Sequence, residues 1–166
     1  KGSEEAPDLS QAMPDEGQNH VDEGTDIIYQ YNPPTSGPHW SEPLKVGLYD
    51  QEKPDEAIIH SLEHGRVWVS YKPSIPEETK KALKDLLQGQ SGIVLTPRAA
   101  NDADIALAAW ARLDKFNLNS DGSLDKDRVL SFVKQYLNRG PEKVPAIGDG
   151  KEYLVIKEDD ILAIIG

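Results

Sequence analysis

Between residues 14 and 54 the chain is dense in Gly, Pro, Asn and Asp and holds a single strand candidate, Ile27-Ile28-Tyr29-Gln30-Tyr31. A stretch this long without regular periodicity is uncommon inside a compact domain and is usually functional or disordered. Two histidines, three tyrosines and a tryptophan lie in it. A disordered linker tends to lack such residues, so the segment reads as an ordered loop with a task. The regular elements must then come from downstream.

They are legible from Asp55 onward. The spacing predicts a helix over 55–64, stopped by Gly65. A strand follows at Val67-Trp68-Val69-Ser70-Tyr71. A second helix runs from Pro76 to about Leu87, with Glu77 and Glu78 in its first turn, where they suit the helix dipole. Ile93-Val94-Leu95-Thr96 is a further strand, closed by Pro97. Strand, helix and strand together predict a parallel β-α-β unit. Residues 105–113 are apolar nearly all round and fit a buried helix or a core strand. Residues 125–137 form an amphipathic helix with Val129, Phe132, Val133, Tyr136 and Leu137 on one face. Tyr153-Leu154-Val155-Ile156 and Ile161-Leu162-Ala163-Ile164-Ile165 read as a hairpin. The expected fold class is α+β: one domain with a small mixed sheet, flanking helices and the long irregular N-terminal loop region. Residues 1–13 are expected as a flexible lead-in, 14–147 as the metal-binding domain, and 148–166 as a C-terminal β-hairpin extension.

Composition narrows the chemistry. The 166 residues suffice for one hydrophobic core. Acidic residues outnumber basic ones 29 to 18, for a net charge of -11, and no basic stripe is present, so nucleic acid is not an expected partner. With no cysteine, disulfides, thiolate zinc sites, iron–sulfur clusters and cysteine nucleophiles are excluded. No apolar run approaches the roughly 18–20 residues of a membrane span.

All four histidines, His20, His39, His60 and His64, fall within the first 64 residues. Neutral imidazole is the commonest side-chain ligand for copper and zinc. His60 and His64 are spaced i, i+4, which puts both rings on one helix face, the usual two-ligand clamp. His39 follows Pro33-Pro34-Thr35-Ser36-Gly37-Pro38, whose backbone limits where the ring can point. His20 stands in a looser setting as a fourth ligand, a place that Met13, the single methionine, contests. A thioether at that position favours copper; packing in the lead-in explains Met13 equally well. Strand packing likewise accounts for Tyr29 and Tyr31, which are otherwise candidate neighbours of the metal.

His60-Ser61-Leu62-Glu63-His64 also matches the His-x-x-Glu-His signature of inverted zinc peptidases, where the glutamate deprotonates the attacking water. Against that reading, the helix stops at Gly65, and histidines from upstream loops would close the shell. Glu63 is then a carboxylate behind the ligands or a partner of Arg66. A second cation candidate, residues 117–125, resembles the front of an EF-hand loop. Its first position is Asn117, however, and its twelfth is Arg128, where a bidentate glutamate is needed. It reads as a turn whose Asp125 caps the next helix.

At Gly17-Gln18-Asn19-His20-Val21, Tyr31-Asn32-Pro33-Pro34-Thr35-Ser36-Gly37-Pro38-His39-Trp40 and His60-Ser61-Leu62-Glu63-His64-Gly65 the sequence resembles the prokaryotic domain-of-unknown-function family numbered 3105. The likeness continues through Thr96-Pro97-Arg98, Ala108-Ala109-Trp110 and Gly140-Pro141-Glu142, covering about residues 13 to 145. It implies a secreted or membrane-anchored protein, of a kind often found behind a signal or single N-terminal helix, and places all four histidines inside matched motifs. It brings no established activity. The expected function is extracytoplasmic metal binding, with copper preferred over zinc, as a carrier, buffer or electron-transfer accessory. The alternatives are a zinc-dependent hydrolase with Glu63 as base, and a structural or assembly protein in which the site staples the loop. In that last case the apolar C-terminal strands are free to pair with a protein partner or a second copy.

Overall fold

A computed structural model describes residues 7–142. The expected hairpin beyond residue 148 lies outside them. In chain order the elements are β1 (Gln11–Ala12), β2 (His20–Val21), β3 (His39–Trp40), β4 (Gly47–Leu48), α1 (Asp55–Glu63), β5 (Val67–Tyr71), α2 (Glu77–Leu87), β6 (Ile93–Pro97), β7 (Ile105–Ala109), β8 (Arg112–Phe116) and α3 (Lys126–Tyr136). The fold is α+β, with one mixed sheet in the order β1-β8-β7-β5-β6-β4 and a small parallel pair, β2-β3.

The sheet is covered on both faces, and that explains its sequence. Val67, Val69 and Tyr71 of β5 join Leu83, Leu87, Val129 and Phe132 from α2 and α3 in one apolar layer. Trp68, between them, points the other way and packs with Ile58, Ile59 and Leu62 of α1. Strands buried on both faces lose the apolar–polar alternation that would reveal them. For the same reason residues 105–113 fitted either a helix or a strand. They form β7 and the start of β8, joined through Trp110 and Ala111, with Ala111 at a left-handed φ of 56°. The β-α-β unit is as expected: β5 and β6 run parallel with α2 between them.

Two local readings change. Residues 27–31 form no strand. The Ile27 N–H donates to the Glu56 carboxylate at 3.2 Å, the Tyr29 hydroxyl donates to the Pro38 carbonyl, and the Ile28 side chain is 98% exposed, so the segment has no ladder to join. Within the expected lead-in, Gln11 and Ala12 pair antiparallel with Leu113 and Arg112 at the sheet edge. The loop at 117–125 is the turn anticipated: Asp125 accepts the Arg128 N–H at 3.2 Å, and the Arg128 guanidinium lies on Asp114 at 2.7 and 3.0 Å.

The irregular segment is ordered by its own hydrogen bonds. Gly37, His39 and Ser41 donate backbone N–H groups to Gly17, Asn19 and Val21 at 2.9–3.0 Å, which locks β2 beside β3. The Ser61 hydroxyl donates to the Leu44 carbonyl at 2.6 Å and ties the loop to α1. Arg98 clamps it from below, donating to both oxygens of Asp55 at 2.8 and 3.0 Å and to the side-chain oxygens of Asn32 and Asn101. No helix among the described residues is long and apolar enough to cross a membrane.

Candidate metal centre

Two pieces of backbone deliver the histidines to one point. In the β2–β3 ladder His20 is the direct register partner of His39, so both side chains leave the same side of the pair. His60 comes from the buried face of α1, against which β3 packs. The three ring centroids form a triangle with edges of 4.6, 4.9 and 4.9 Å. His39 is fully buried and His60 nearly so, while the His20 side chain is 46% exposed and marks the solvent side.

Each of the buried rings is oriented by a backbone carbonyl. His39 Nδ1 lies 2.7 Å from the Gly37 oxygen, and His60 Nδ1 2.7 Å from the Trp40 oxygen. A carbonyl only accepts, so both Nδ1 atoms carry the hydrogen, and the neutral rings present lone pairs at Nε2. Gly37 supplies its carbonyl from a left-handed conformation, φ 108°, which a residue with a Cβ adopts only at a cost. That is the physical content of the Gly-Pro-His sequence. Burial, the largest influence, lowers the pKa of His60; charge on the other three imidazoles acts in the same direction, and the Trp40 hydrogen bond opposes it. The ring is therefore held in the neutral, metal-ligating form.

The residue these lone pairs face is Glu63, one helical turn after His60. Its Oε1 lies 2.9 Å from His39 Nε2, 3.2 Å from His20 Nε2 and 3.8 Å from His60 Nε2, and its side chain is 5% exposed. Ligand atoms of all four residues lie within 4.8 Å of one another. A tetrahedral ion with ligand bonds of about 2.0–2.1 Å separates its ligand atoms by about 3.3 Å, so the observed spacings bracket a coordination shell. Lone pairs and a carboxylate oxygen turned toward one another in a buried place repel unless a cation or a proton lies between them. The donor set, three imidazoles and one carboxylate, fits a divalent ion of borderline softness.

The sequence-predicted residues separate here. His20, His39 and His60 converge. His64, at the C-cap of α1, lies edge-on to His60 with centroids 4.6 Å apart and belongs to a neighbouring group made with Glu142. Met13 packs against the apolar cluster around Ile58 and Trp68, as does Trp110, whose indole meets His39 edge-on at 6.1 Å. Tyr29 packs on the same cluster, and burial raises its hydroxyl pKa. Glu63, which sequence reasoning placed behind the ligands or in the role of a base, stands among them. Its signal was the i, i+3 spacing from His60, which shares a helix face as well as i, i+4 does. Glu142 figures in the sequence only as part of the Gly140-Pro141-Glu142 segment of the family resemblance, with no ligand role attached.

Residues 20–147 match the model of the family described as protein of unknown function (DUF3105). The chain belongs to that family. All four centre residues, with His64 and Glu142, fall inside the matched range. No curated protein and no solved structure matches the chain.

Proposed function

We propose that this member of the family is an extracytoplasmic metal-binding protein that holds a divalent ion, copper(II) in preference to zinc(II), on His20, His39, His60 and Glu63. The observation that carries the reading is the convergence of three Nε2 atoms on one buried carboxylate oxygen, with both buried Nδ1 atoms turned onto carbonyls. Outer hydrogen bonds of that kind fix the tautomer and raise ligand basicity. For nitrogen and oxygen donors copper(II) binds more tightly than zinc(II), which supports copper as the preferred ion. The expected extracytoplasmic location follows the family resemblance and is checked by cell fractionation.

A carrier or buffer suits this shell better than an electron-transfer accessory. The chain has no cysteine thiolate, and a hard carboxylate at the ion favours the oxidised state over reduced copper. Hydrolysis in the His-x-x-Glu-His manner needs its glutamate free to take a proton from water, whereas Glu63 Oε1 lies 2.9–3.8 Å from three imidazole nitrogens, placed to share an ion with them. The test is titration of chelator-treated protein with copper(II) and, separately, zinc(II), followed by EPR of the copper form. The reading expects a tight stoichiometric ion, with an EPR spectrum showing coupling to imidazole nitrogens, lost in His39→Gln and His60→Gln. Absence of stoichiometric binding of either ion in the parent chain would overturn it.

A further inference from the structure

Beside the four-residue centre a second donor set is assembled. His60, Glu63, His64 and Glu142 also bring their ligand atoms within 4.8 Å of one another, and His64 Nε2 lies 3.2 Å from Glu142 Oε1. Glu142 is not held by its side chain alone. The segment after α3 is strapped to the end of α1 by the Asn138 N–H on the Gly65 carbonyl at 2.7 Å and the Glu142 N–H on the Glu63 carbonyl at 3.0 Å. Between them Gly140 lies so close that a Cβ would stand 2.3 Å from the Glu63 carbonyl oxygen and 2.5 Å from the Gly65 nitrogen. The main chain thus sets the Glu142 carboxylate beside His64.

The two sets share His60 and Glu63, but these residues can be shared in different ways. His60 has its Nδ1 on the Trp40 carbonyl and so offers one ligand atom, to one ion. A carboxylate has two oxygens and can span two ions about 3.5–4 Å apart, the spacing of two-metal sites. We propose that the centre takes two divalent cations, bridged by Glu63: a first on His20, His39 and His60, and a second on His64 and Glu142. The inference rests on the metal-binding reading above and adds a second position to it. With His64 and Glu142 more exposed than the buried rings, and water completing its shell, the second ion binds more weakly than the first.

The test uses the full chain, freed of metal with chelator, and zinc(II) alone as the probe. Calorimetric titration, with elemental analysis after gel filtration, should give two equivalents, the second at least about tenfold weaker. His64→Ala and Glu142→Gln should each leave one, with the affinity for the first changed by less than about threefold. Both changes lie at partly exposed side chains, so folding is not at stake, and melting curves verify it. With copper(II), the second equivalent should attenuate the EPR signal of the first through coupling across the bridge, and His64→Ala should abolish the attenuation. A single equivalent in the parent chain would overturn this inference and leave the first centre standing. A second equivalent that survives both variants, an ion on the acidic surface, would overturn it too. No equivalent at all would sink both readings.

Discussion

Glu63→Gln keeps the shape of a nearly buried side chain and removes its charge. At pH 8, where free imidazole is neutral, the metal-free centre sets the lone pair of His39 Nε2, whose Nδ1 hydrogen lies on the Gly37 carbonyl, against a carboxylate oxygen at 2.9 Å. The glutamine amide supplies an N–H donor to that lone pair, worth about 0.5–1.5 kcal/mol net. The variant should therefore be more stable than the parent in chelator, by about 0.5–1.5 kcal/mol. For a domain of this size that raises Tm by about 1–6 °C. In zinc(II) at a hundred times Kd the parent gains about 2.7 kcal/mol, and the variant gains little or nothing. The assay is a pair of thermal melts, with chelator and with zinc(II). If Glu63 were instead one half of a buried imidazolium–carboxylate pair, removing its charge would cost about 3–5 kcal/mol. A lower metal-free Tm in Glu63→Gln would thus refute the reasoning by its sign alone.

Other perturbations bear on the same structure. His39→Gln, at the fully buried ring of the proposed centre, should weaken the first ion by more than about 100-fold, since even the outer partners of ligands are worth 10–100-fold; competition with a chromogenic chelator reads the loss. His60 is held below the ordinary imidazole value, chiefly by burial, so the folded state takes its proton less readily than the unfolded chain. Its share of stability is present above pH about 6.5 and lost as pH falls through the folded value. Tm in chelator should accordingly decline below about pH 6.5, and a curve still rising toward pH 5 would count against a neutral His60. Gly140→Ala must push its Cβ into the Glu63 and Gly65 backbone, costing about 1–3 kcal/mol of overpacking, or about 2–12 °C in Tm. An unchanged melt would show that the strap over α1 is looser than described.

Much of the scaffold was readable because its helices and strands carry local signals. The Asp125 cap, the Gly65 stop and the acids of the first turn of α2 marked element ends within a residue or so. The apolar stretch 105–113 stayed ambiguous because layers on both sides of the sheet erase periodicity, so the turn at Trp110 and Ala111 had nothing to announce it. The parallel pair β2–β3 was invisible for another reason. Two residues per strand carry no pattern, and their partners are 19 positions apart. That pairing sets His20 against His39, so the strongest geometric fact about the centre was the hardest to read. The i, i+4 clamp drew attention to His64, whereas the register of a short ladder and the i, i+3 position of Glu63 set the arrangement instead. Glu142 depends on a long-range backbone contact through Gly140 that no local motif encodes.

The most direct measurement of the central claim is an anomalous difference map from a crystal of the chain loaded with one equivalent of copper(II), collected on either side of the copper edge. The account predicts a peak about 2.0–2.2 Å from Nε2 of His20, His39 and His60 and from a Glu63 oxygen. A peak elsewhere, or none between those four atoms at full occupancy of the chain, would contradict it.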